Sequence, residues 1–481
     1  MNLKNLIKNV DVIKIIGNDD LEITDVKFNS NEVVNNSLYV CLKGVDYDGH
    51  NFAMQAEKYG AKAIVCTREL DVNICQIIVK DSRVALSVIS SEFYENCHKK
   101  MKIIGVTGTN GKTTTTHLIT SILVNNDVKC GLIGTIGVFY AGKFIEPNLT
   151  TPDPIALHKI FKDMYDCGVE VVVMEVSAHA IYLKKIYGIE FEVGVFTNCT
   201  QDHLDFFGTM DNYKNTKKNF FNDYKCRFVV CNSDDETGRQ ICMEHINCIS
   251  YGIYNPSDVF AIDINKKISK TEYILNLFDS VFNVKLNLIG EYNVYNSLAS
   301  MVSSVLVGIK PIDVVKGVEN LKGIEGRLEL IYEGDFSVYV DYAHTPDGLK
   351  KTLETIKPLL KGKLICVFGC GGNRDVSKRE IMGEVSGNIA DFTVITSDNP
   401  RYEEPMEIIW QIEKGILKHT KNYVIVEDRT EAIKYALNYA KKGDGVLIAG
   451  KGSEKYQEIF GIKRYCNDKN TVEELLRGEL C

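Results

Sequence analysis

The sequence predicts an α/β protein of three domains. Short apolar runs alternate with helical patterns along most of the chain, which is typical of a mainly parallel sheet whose strands are joined by helices. The length of 481 residues suggests about three domains at roughly 150 residues each. One glycine-rich turn follows an apolar run and opens a helical stretch, which predicts a phosphate-binding loop in the middle of the chain.

The first predicted domain covers residues 1–98 and is a small α/β unit. Its apolar runs are short and lie between helical patterns. They cover Ser37 to Leu42, Ala63 to Cys66 and Gln76 to Val79.

The second predicted domain covers residues 99–326 and is a parallel-sheet, nucleotide-binding domain. The run Lys102 to Thr107 leads into glycines and then into a helical stretch from Lys112 to Asn125. Four further apolar runs predict strands, namely Val169 to Val176, Val193 to Thr197, Arg227 to Cys231 and Cys248 to Tyr251.

The third predicted domain covers residues 327–481 and is Rossmann-like. Its predicted strands are Val338 to Asp341, Leu364 to Gly369, Phe392 to Thr396, Tyr423 to Val426 and Gly445 to Ala449. In such sheets the loops at the carboxyl ends of the strands carry the binding sites. Functional residues are therefore expected directly after each of these runs.

The composition excludes several classes of function. Apolar residues make up 45% and charged residues 25% of the chain, which excludes wholesale disorder. The 56 Lys and Arg residues against 64 Asp and Glu residues leave a net charge of −8. We therefore expect no partner that is a nucleic acid or an anionic membrane surface. A local basic pocket for a phosphorylated small molecule remains compatible with this charge.

The cysteines and the N-terminus indicate a reducing compartment. The 15 cysteines are scattered and none shows Cys-x-x-Cys spacing, so we expect reduced thiols rather than a zinc site. Charged residues interrupt the first 20 residues, and no run approaches the roughly 20 apolar residues of a membrane span. These features predict a cytoplasmic protein.

The sharpest motif is the phosphate loop from Gly105 to Thr113. Glycines allow the backbone N–H groups to approach phosphates, Lys112 would reach the β- and γ-phosphates, and the Thr113 hydroxyl would contact Mg²⁺. The spacing departs from the general Gly-x-x-x-x-Gly-Lys pattern because Val106 stands where the first glycine belongs. A glycine-rich turn with an incidental lysine is the alternative interpretation.

The loop resembles that of the Mur ligase family, Gly-Thr-(Asn/Thr)-Gly-Lys-Thr. The resemblance extends over nearly the whole chain, and the family's motifs occur in the family's order. It implies that ATP is bound by the loop residues Gly108, Thr109, Asn110, Gly111, Lys112, Thr113 and Thr114.

Two strand ends in the second predicted domain are candidates for metal binding. Glu175 ends an apolar run, and such an acid is either a metal ligand or a helix cap; near a phosphate loop we favour the ligand. His203, beside Asp202, follows the next such run. The resemblance implies two Mg²⁺ ions, with Thr113, Glu175, His203 and Lys217 as ligands.

The resemblance singles out Lys217 among the lysines of a predicted helix from Gly208 to Phe220. Without the resemblance, the pattern of Lys214, Lys217 and Lys218 would indicate only a solvated basic face of the helix. The family carries an N6-carboxylated lysine four residues after a tyrosine. That tyrosine is Tyr213 here, so the position corresponds to Lys217 rather than Lys218. A neutral amine that adds CO₂ becomes an anionic carbamate, which can hold Mg²⁺ or order its ligands.

The resemblance also implies contacts with a uridine-diphosphate-linked sugar-peptide carrier. The corresponding residues are Ser30, Thr150, Thr151, Ser177 and Lys185. Three positions depart from the family pattern, because Asn31 and Lys185 each replace an arginine and Leu183 replaces a glutamine. Lys185 keeps the positive charge but lacks the bidentate fork of arginine.

Further nucleotide contacts are implied on both sides of the predicted domain junction. Asn293 and Asn296 lie three residues apart on one helical face, and their amides suit the edge of an adenine. Arg327 stands at the junction, where the family's hinge arginine clamps ATP. Asp341 would accept hydrogen bonds from the ribose hydroxyls, and His344 would lie near the phosphates.

The third domain carries a motif for choosing an amino acid. In the family's tripeptide-forming members the loop Asp398-Asn399-Pro400-Arg401 selects the incoming substrate, and arginine in its fourth place accompanies meso-diaminopimelate. Arg374, Asn399 and Arg401 would form a clamp for the distal carboxylate. Glu454 and the Gly450 carbonyl would bind the distal ammonium, in a motif where Ser453 replaces the usual histidine.

The resemblance therefore implies an ATP-dependent ligase that adds meso-2,6-diaminopimelate to UDP-N-acetylmuramoyl-L-alanyl-D-glutamate through an acyl phosphate, in peptidoglycan precursor synthesis. Small molecules are the expected partners, and we expect a monomer. A related ligase that uses another amino acid, such as L-lysine, or another carrier is the main alternative. A folylpolyglutamate-type ligase and a nucleotide-binding regulator without turnover are further alternatives.

Overall fold

The computed structural model describes residues 1–44, 47–146 and 148–478. Strands and helices alternate along the chain, which confirms the predicted α/β class. The strands are β1 Val12–Ile16, β2 Asp25–Lys27, β3 Ser37–Val40, β4 Ala61–Cys66, β5 Cys75–Val79, β6 Lys102–Thr107, β7 Cys130–Ile133, β8 Val138–Tyr140, β9 Lys143–Ile145, β10 Val171–Glu175, β11 Phe191–Phe196, β12 Cys226–Asn232, β13 Cys248–Gly252, β14 Val259–Lys266, β15 Thr271–Leu277, β16 Ser280–Leu286, β17 Glu329–Glu333, β18 Ser337–Asp341, β19 Leu364–Phe368, β20 Phe392–Ile395, β21 Tyr423–Ile425, β22 Gly445–Ala449, β23 Tyr456–Ile459 and β24 Ile462–Tyr465.

The α-helices connect these strands, and several begin with a side-chain cap or a proline in the first turn, as expected for helix starts. They are α1 Leu3–Ile7, α2 Ala53–Lys58, α3 Ser82–Phe93, α4 Lys112–Val124, α5 Pro154–Asp166, α6 Ala178–Tyr182, α7 Leu204–Phe207, α8 Met210–Asn222, α9 Glu236–Glu244, α10 Glu291–Leu306, α11 Pro311–Asn320, α12 Pro346–Ile356, α13 Ser377–Ile389, α14 Pro405–Ile416, α15 Arg429–Tyr439 and α16 Asp468–Arg477.

The chain divides into two compact units, each built from several segments. The first unit comprises Met1–Thr107, Asp127–Val195 and Asn215–Val229, and the second comprises Gly108–Asn126, Phe196–Lys214 and Val230–Cys481. The predicted boundaries at residues 98/99 and 326/327 follow the sequence motifs, and they stay a prediction.

The first unit contains a five-stranded sheet in the order β1-β5-β4-β3-β2. β1 runs antiparallel to β5, and the other neighbours are parallel. Apolar side chains cover both faces, with Leu6, Leu38 and Leu86 in one cluster and Tyr39 and Ile64 in the other. Burial on both faces accounts for the mainly apolar residues of the central strands β3, β4 and β5.

The first unit also contains strands in the order β11-β6-β10-β7-β8-β9. β10 runs parallel to β6 and β7, and β8 and β9 turn back antiparallel. The register places Glu175 opposite Val106. The carboxylate that ends β10 therefore lies at the edge where β6 leads into the glycine loop.

The second unit contains three antiparallel strands, β14, β15 and β16, with β13 parallel to β14. This antiparallel meander was not predicted. In β15 buried and partly buried side chains alternate along the strand, as expected for a strand packed on one face.

The C-terminal sheet of the second unit has the order β17-β18-β22-β19-β20-β21. Only β17 runs antiparallel to its neighbour, so the predicted Rossmann-like sheet is confirmed. Asp341 is paired with Ala449 across β18 and β22. The loops after these parallel strands consequently emerge at one edge of the sheet.

One cysteine pair corrects the sequence analysis, which expected reduced thiols throughout. Cys242 in α9 and Cys248 at the start of β13 form a disulfide, with their Cα atoms 5.3 Å apart. The Sγ of Cys231 lies within 4.8 Å of both sulfur atoms. The short turn between α9 and β13 creates this proximity, which residue spacing alone did not reveal. No helix among the described residues is long and apolar enough to cross a membrane.

Candidate active site

The phosphate loop joins β6 to α4 as predicted, and two of its glycines have positive φ. Gly108 has φ +148° and Gly111 has φ +87°, and a Cβ on Gly111 would lie 2.3 Å from Asn296 Oδ1. The Lys112 ammonium donates to the carbonyls of Gly108 and Thr109, at 2.9 Å each. The loop thus curls around its own lysine, and only glycine fits at these positions.

A second loop after β11 supports the phosphate loop within the second unit. The Thr109 N–H donates to the Asn198 carbonyl at 2.8 Å, and the Asn110 N–H donates to Asn198 Oδ1 at 3.0 Å. The Asn110 side-chain amide donates to Asp347 Oδ2 at 3.1 Å, at the start of α12. These contacts fix the loop from two sides.

Asn293 and Asn296 are buried at the start of α10. The Asn296 amide donates to Asn293 Oδ1 at 2.9 Å, and the Asn293 amide donates to the Ile289 carbonyl at 2.8 Å. Asn296 Oδ1 faces Gly111 and accepts from Thr115. These contacts brace the phosphate loop, and the predicted contact with adenine stays a prediction.

Arg327 links the phosphate loop to the C-terminal sheet. Its guanidinium donates to Thr113 Oγ1 at 3.0 Å and lies 4.4 Å from the centre of the Tyr342 ring. The next residue, Leu328, donates its N–H to Asp341 Oδ2 at 2.5 Å. Asp341 Oδ1 accepts from the Ala343 N–H at 2.9 Å, so this carboxylate is held by backbone on both oxygens.

A cluster of charged groups lies beside the phosphate loop. Burial alone would raise the pKa of the Asp202 carboxyl, but the neighbouring His203 and Lys112 lower it overall. Burial lowers the pKa of His344, and Lys378 lowers it further. His344 Nδ1 donates to the Tyr342 carbonyl at 2.9 Å, which leaves Nε2 for a ligand. His344 is thus held as a neutral imidazole near physiological pH.

The first unit brings together four of the predicted residues. Both carboxylate oxygens of Glu175 accept from Thr135, Oε1 from its N–H at 2.8 Å and Oε2 from its hydroxyl at 3.1 Å. Thr150 lies 3.1 Å from the Thr135 hydroxyl. Thr151 donates to the Glu175 carbonyl at 2.8 Å and accepts from the Ser177 N–H at 3.0 Å.

Three other predicted residues of the first unit have separate surroundings. Lys185 forms an ion pair with Asp153 at 2.7 Å. Lys217 in α8 is buried, with 1% of its surface exposed. The Ser30 hydroxyl donates to Gln55 Oε1 at 3.2 Å, and the Gln55 amide donates to Asn31 Oδ1 at 3.0 Å. Asn31, which replaces the family's arginine, therefore accepts a hydrogen bond from Gln55.

The predicted amino-acid loops meet after β20 and β22. The buried Asn399 donates its amide to Glu454 Oε2 at 2.8 Å, and a Cβ on Gly450 would lie 2.7 Å from Asp398 Oδ2. The Gln457 amide donates to the Asp398 carbonyl at 2.7 Å. A carboxylate and an amide therefore converge where the sequence predicted an ammonium to bind.

Arg401 and Arg374 both lie close to Gly371. A Cβ on Gly371 would be 3.0 Å from Arg401 Nη1 and 3.8 Å from Arg374 Cγ. Arg401 Nη1 donates to the Gly372 carbonyl at 2.7 Å, and the Arg401 backbone has φ +52°. Left-handed backbone at a non-glycine residue is costly and marks functional loops. The hairpin β23–β24 holds it, because the Arg401 N–H donates to the Glu458 carbonyl.

Three family profiles match consecutive parts of the chain. They are described as the Mur ligase family catalytic domain (residues 22–110), the Mur ligase middle domain (residues 106–304) and the Mur ligase glutamate ligase domain (residues 326–452). A 2,6-diaminopimelate ligase acting on UDP-N-acetylmuramoyl-L-alanyl-D-glutamate, from Clostridium acetobutylicum, is 43% identical, with 99% of each chain covered.

This chain belongs to the Mur ligase family.

Two further relatives agree with that assignment. The ligase of the same name from Clostridium botulinum is 41% identical over 99% of this chain and 100% of its own. A solved structure of such a diaminopimelate ligase has a TM-score of 0.72 at 28% identity, covering 100% of this chain and 99% of that one. The predicted Mur ligase resemblance and fold are therefore confirmed.

Several residues of this Mur ligase site were missed by the sequence analysis. Thr135, which holds Glu175, follows β7 directly after a glycine, and this strand-end position was a usable signal. No role was predicted for Asp347, which lies shortly after His344 and contacts Asn110. No role was predicted for Lys451, which is buried beneath the predicted amino-acid loops. Nothing in the structure explains why Ser453 replaces histidine.

The predicted metal ligands differ in how well they suit Mg²⁺. Thr113 and Glu175 offer the oxygen ligands that Mg²⁺ prefers, and a carbamate on Lys217 would offer more. His203 offers a nitrogen, which suits Mg²⁺ less well. Thr113 and His203 belong to the second unit, and Glu175 and Lys217 to the first.

Proposed function

We propose that this protein is an ATP-dependent ligase that joins meso-2,6-diaminopimelate to the D-glutamate carboxylate of UDP-N-acetylmuramoyl-L-alanyl-D-glutamate, a step of peptidoglycan precursor synthesis. The proposal rests on one observation above all. The buried Asn399 donates its amide to the Glu454 carboxylate, and Arg401, two residues later in the same loop, donates to the Gly372 carbonyl. The relatives at 41–43% identity carry this activity in their names.

The amino-acid site matches a substrate with a zwitterionic distal end. Diaminopimelate carries both a carboxylate and an ammonium at the end away from the reacting amine. Arg374, Asn399 and Arg401 would bind that carboxylate, and Glu454 and the Gly450 carbonyl would bind that ammonium. Asp398 and Pro400 belong to the same substrate loop as Asn399 and Arg401. L-Lysine lacks the distal carboxylate and would give neither arginine a substrate carboxylate to bind.

ATP makes the carboxylate reactive, because a carboxylate does not react with an amine by itself. The D-glutamate carboxylate attacks the γ-phosphorus, ADP leaves, and an acyl phosphate forms. The amine of diaminopimelate then attacks the acyl carbon, and inorganic phosphate leaves as the amide forms. The N–H groups of Gly108 to Thr114 bind the phosphates, and Lys112 neutralises charge that develops on them.

Residues around the phosphate loop complete the nucleotide site. Asn293 and Asn296 brace the loop, and we propose that they also face the adenine. Asp341 accepts from the ribose hydroxyls, and neutral His344 lies near the phosphates. Arg327 supplies a second cation through its guanidinium fork.

Magnesium would neutralise phosphate charge and position the γ-phosphoryl group when bound. We propose Thr113, Glu175, His203 and Lys217 as the ligands of two ions. Thr135 orients the Glu175 carboxylate through both of its oxygens, which is how outer partners fix a metal ligand.

Lys217 is the proposed site of an N6-carboxylation. Its side chain is buried, and a neutral amine is the form that adds CO₂. The reaction joins the amine nitrogen to the carbon of CO₂ and releases one proton. Protein incubated with ¹³CO₂ should show one carbamate carbon by NMR, and the Lys217→Gln variant should lose it while Lys218→Gln keeps it.

The carrier site is proposed in the first unit. Ser30, Thr150, Thr151, Ser177 and Lys185 would contact the UDP-linked muramoyl dipeptide. Lys185 would exchange its ion pair with Asp153 for a carboxylate or phosphate of the carrier. We also propose that the protein acts as a monomer in the cytoplasm, with small molecules as its partners.

A substrate panel tests the proposal. The full chain with ATP, Mg²⁺ and UDP-N-acetylmuramoyl-L-alanyl-D-glutamate is offered diaminopimelate, L-lysine or L-ornithine, and products are identified by mass. We expect phosphate release and a tripeptide product with diaminopimelate. A product with L-lysine alone would establish the related ligase instead, and no amino-acid-dependent release with any carrier would establish a nucleotide-binding regulator.

A further inference from the structure

Lys451 is a buried cation beneath the amino-acid loops. Its surface is 0% exposed, so its ammonium lies out of reach of solvent. The ammonium donates to Asn399 Oδ1 at 3.1 Å, to Glu454 Oε2 at 3.1 Å and to the Tyr456 carbonyl at 2.5 Å. An ammonium has three protons, so these three acceptors saturate it. Lysines are almost never buried unless they are paired in this way.

The contacts of Lys451 decide which way the Asn399 amide points. Asn399 Oδ1 accepts from Lys451 and from the Glu458 N–H at 2.9 Å, and neither donor could accept a hydrogen bond from the amide nitrogen. The Asn399 amide nitrogen therefore faces Glu454 Oε2, at 2.8 Å. Without the lysine, one of the two interactions that fix this orientation is lost.

The same contacts orient the Glu454 carboxylate. Both donors, Lys451 and Asn399, reach the same oxygen, Oε2. The other oxygen, Oε1, is left for the ammonium of a ligand, and the Glu454 side chain is 27% exposed. The Glu454 N–H also donates to the Lys451 carbonyl at 3.0 Å, so backbone and side chain both tie the two residues together.

We infer that Lys451 is a positioning residue of the amino-acid site, which holds Asn399 and Glu454 in the orientation that receives the ammonium of the incoming diamino acid. It acts through these two side chains and does not touch the substrate. The inference rests on the proposed ligase function, because it assumes that a diamino acid binds at Glu454.

The test uses Lys451→Met in the full chain, with amino-acid-dependent phosphate release as the assay. A hydrogen bond to a charged group is worth enough to change affinity by about tenfold or more, so we expect the KM for diaminopimelate to rise by about that factor. The KM values for ATP and for the UDP-linked dipeptide should stay within about twofold. Lys463→Met is the matched control. Lys463 is an exposed lysine of β24 whose ammonium lies 4.2 Å from the centre of the Tyr456 ring.

A second variant and a double variant separate positioning from a loss of structure. Lys451→Gln keeps a donor at the position and should recover part of the lost affinity. In a Glu454→Gln background, Lys451→Met should add little, because both changes act on the same interaction. Fully additive effects, or an equal rise in the KM for ATP, would overturn the inference.

The outcomes distinguish this inference from the proposed function. If the unchanged protein releases no phosphate with diaminopimelate, the proposed function fails and this inference fails with it. If the unchanged protein is active and both Lys451 variants keep its KM for diaminopimelate, the inference alone is refuted.

Discussion

Arg327 donates a hydrogen bond from Nη2 to Thr113 Oγ1 at 3.0 Å, which ties the start of β17 to the first turn of α4. The contact joins a residue of the C-terminal sheet region to the hydroxyl that follows the phosphate-loop lysine. The centre of the Tyr342 ring lies 4.4 Å from the guanidinium carbon. This position agrees with the proposed contact between Arg327 and a triphosphate in the loop.

Replacing Arg327 should weaken the use of ATP. We expect Arg327→Ala to raise the KM for ATP by about tenfold or more, because a charge-assisted hydrogen bond is lost. Arg327→Lys keeps the charge but loses the planar fork and the ring contact, so it should recover only part of the lost affinity for ATP. Steady-state kinetics with Arg477→Ala as the control, at the exposed end of α16, checks this. An unchanged KM for ATP in Arg327→Ala would contradict it.

Replacing Arg401 should affect diaminopimelate and leave ATP unaffected. Arg401 is oriented by the Gly372 carbonyl and by Glu458, and its loss removes the cation proposed to bind the distal carboxylate. We expect Arg401→Ala to raise the KM for diaminopimelate by about 10- to 100-fold. Arg464→Ala, at an exposed position on β24, is the control. A KM within twofold of the original would show that Arg401 does not bind the carboxylate.

Replacing Glu403 should destabilise the C-terminal sheet region. Arg379 is 0% exposed, and its guanidinium donates to both oxygens of Glu403, at 2.8 and 2.9 Å. Glu403→Ala would leave a buried charge unpaired, so we expect a loss of about 3 kcal/mol in the free energy of unfolding. Glu384→Ala, which breaks only an exposed pair with Lys418, should cost less than about 1 kcal/mol. Urea unfolding measures the free energy of unfolding of both variants. Equal losses would show that Glu403 does not stabilise the protein by pairing with the buried Arg379.

Acid should destabilise the first unit through two buried histidines. Burial lowers the pKa of His98 from 6.5 to about 4, and burial lowers the pKa of His158 well below its ordinary value. Their rings lie 5.0 Å apart. Both are neutral in the fold, so the unfolded chain binds more protons between about pH 6.5 and 4. Stability therefore falls as the pH drops through this window, by up to about 1.4 kcal/mol per pH unit for each histidine.

The double variant His98→Phe, His158→Phe tests this pH dependence. It should show a flatter fall of unfolding free energy between pH 6.5 and pH 4, whatever its absolute stability. His419→Phe, in an exposed turn after α14, serves as the control and should keep the original slope. A slope unchanged in the double variant would show that other groups control the acid response.

Local sequence patterns predicted the elements around the nucleotide site closely. β6 begins and ends where the apolar run predicted, and α4 begins at Lys112 as predicted. Such elements depend on short-range physics, namely apolar periodicity, glycine backbone freedom and helix starts. The antiparallel meander β14–β16 was missed because a search for parallel strands between helices passes over strands joined by tight turns.

The sequence by itself determined the family, the α/β class and the phosphate loop, because each depends on motifs or apolar patterns formed by residues close together in the chain. It also predicted Asp398 to Arg401 as the amino-acid loop. Only the tertiary structure decided which other side chains contact and orient those residues. It placed Thr135 on Glu175, buried Lys451 against Asn399 and Glu454, and joined Cys242 to Cys248. Each of these relationships arises from how strands and helices pack, and packing brings together side chains whose spacing along the chain carries no signal.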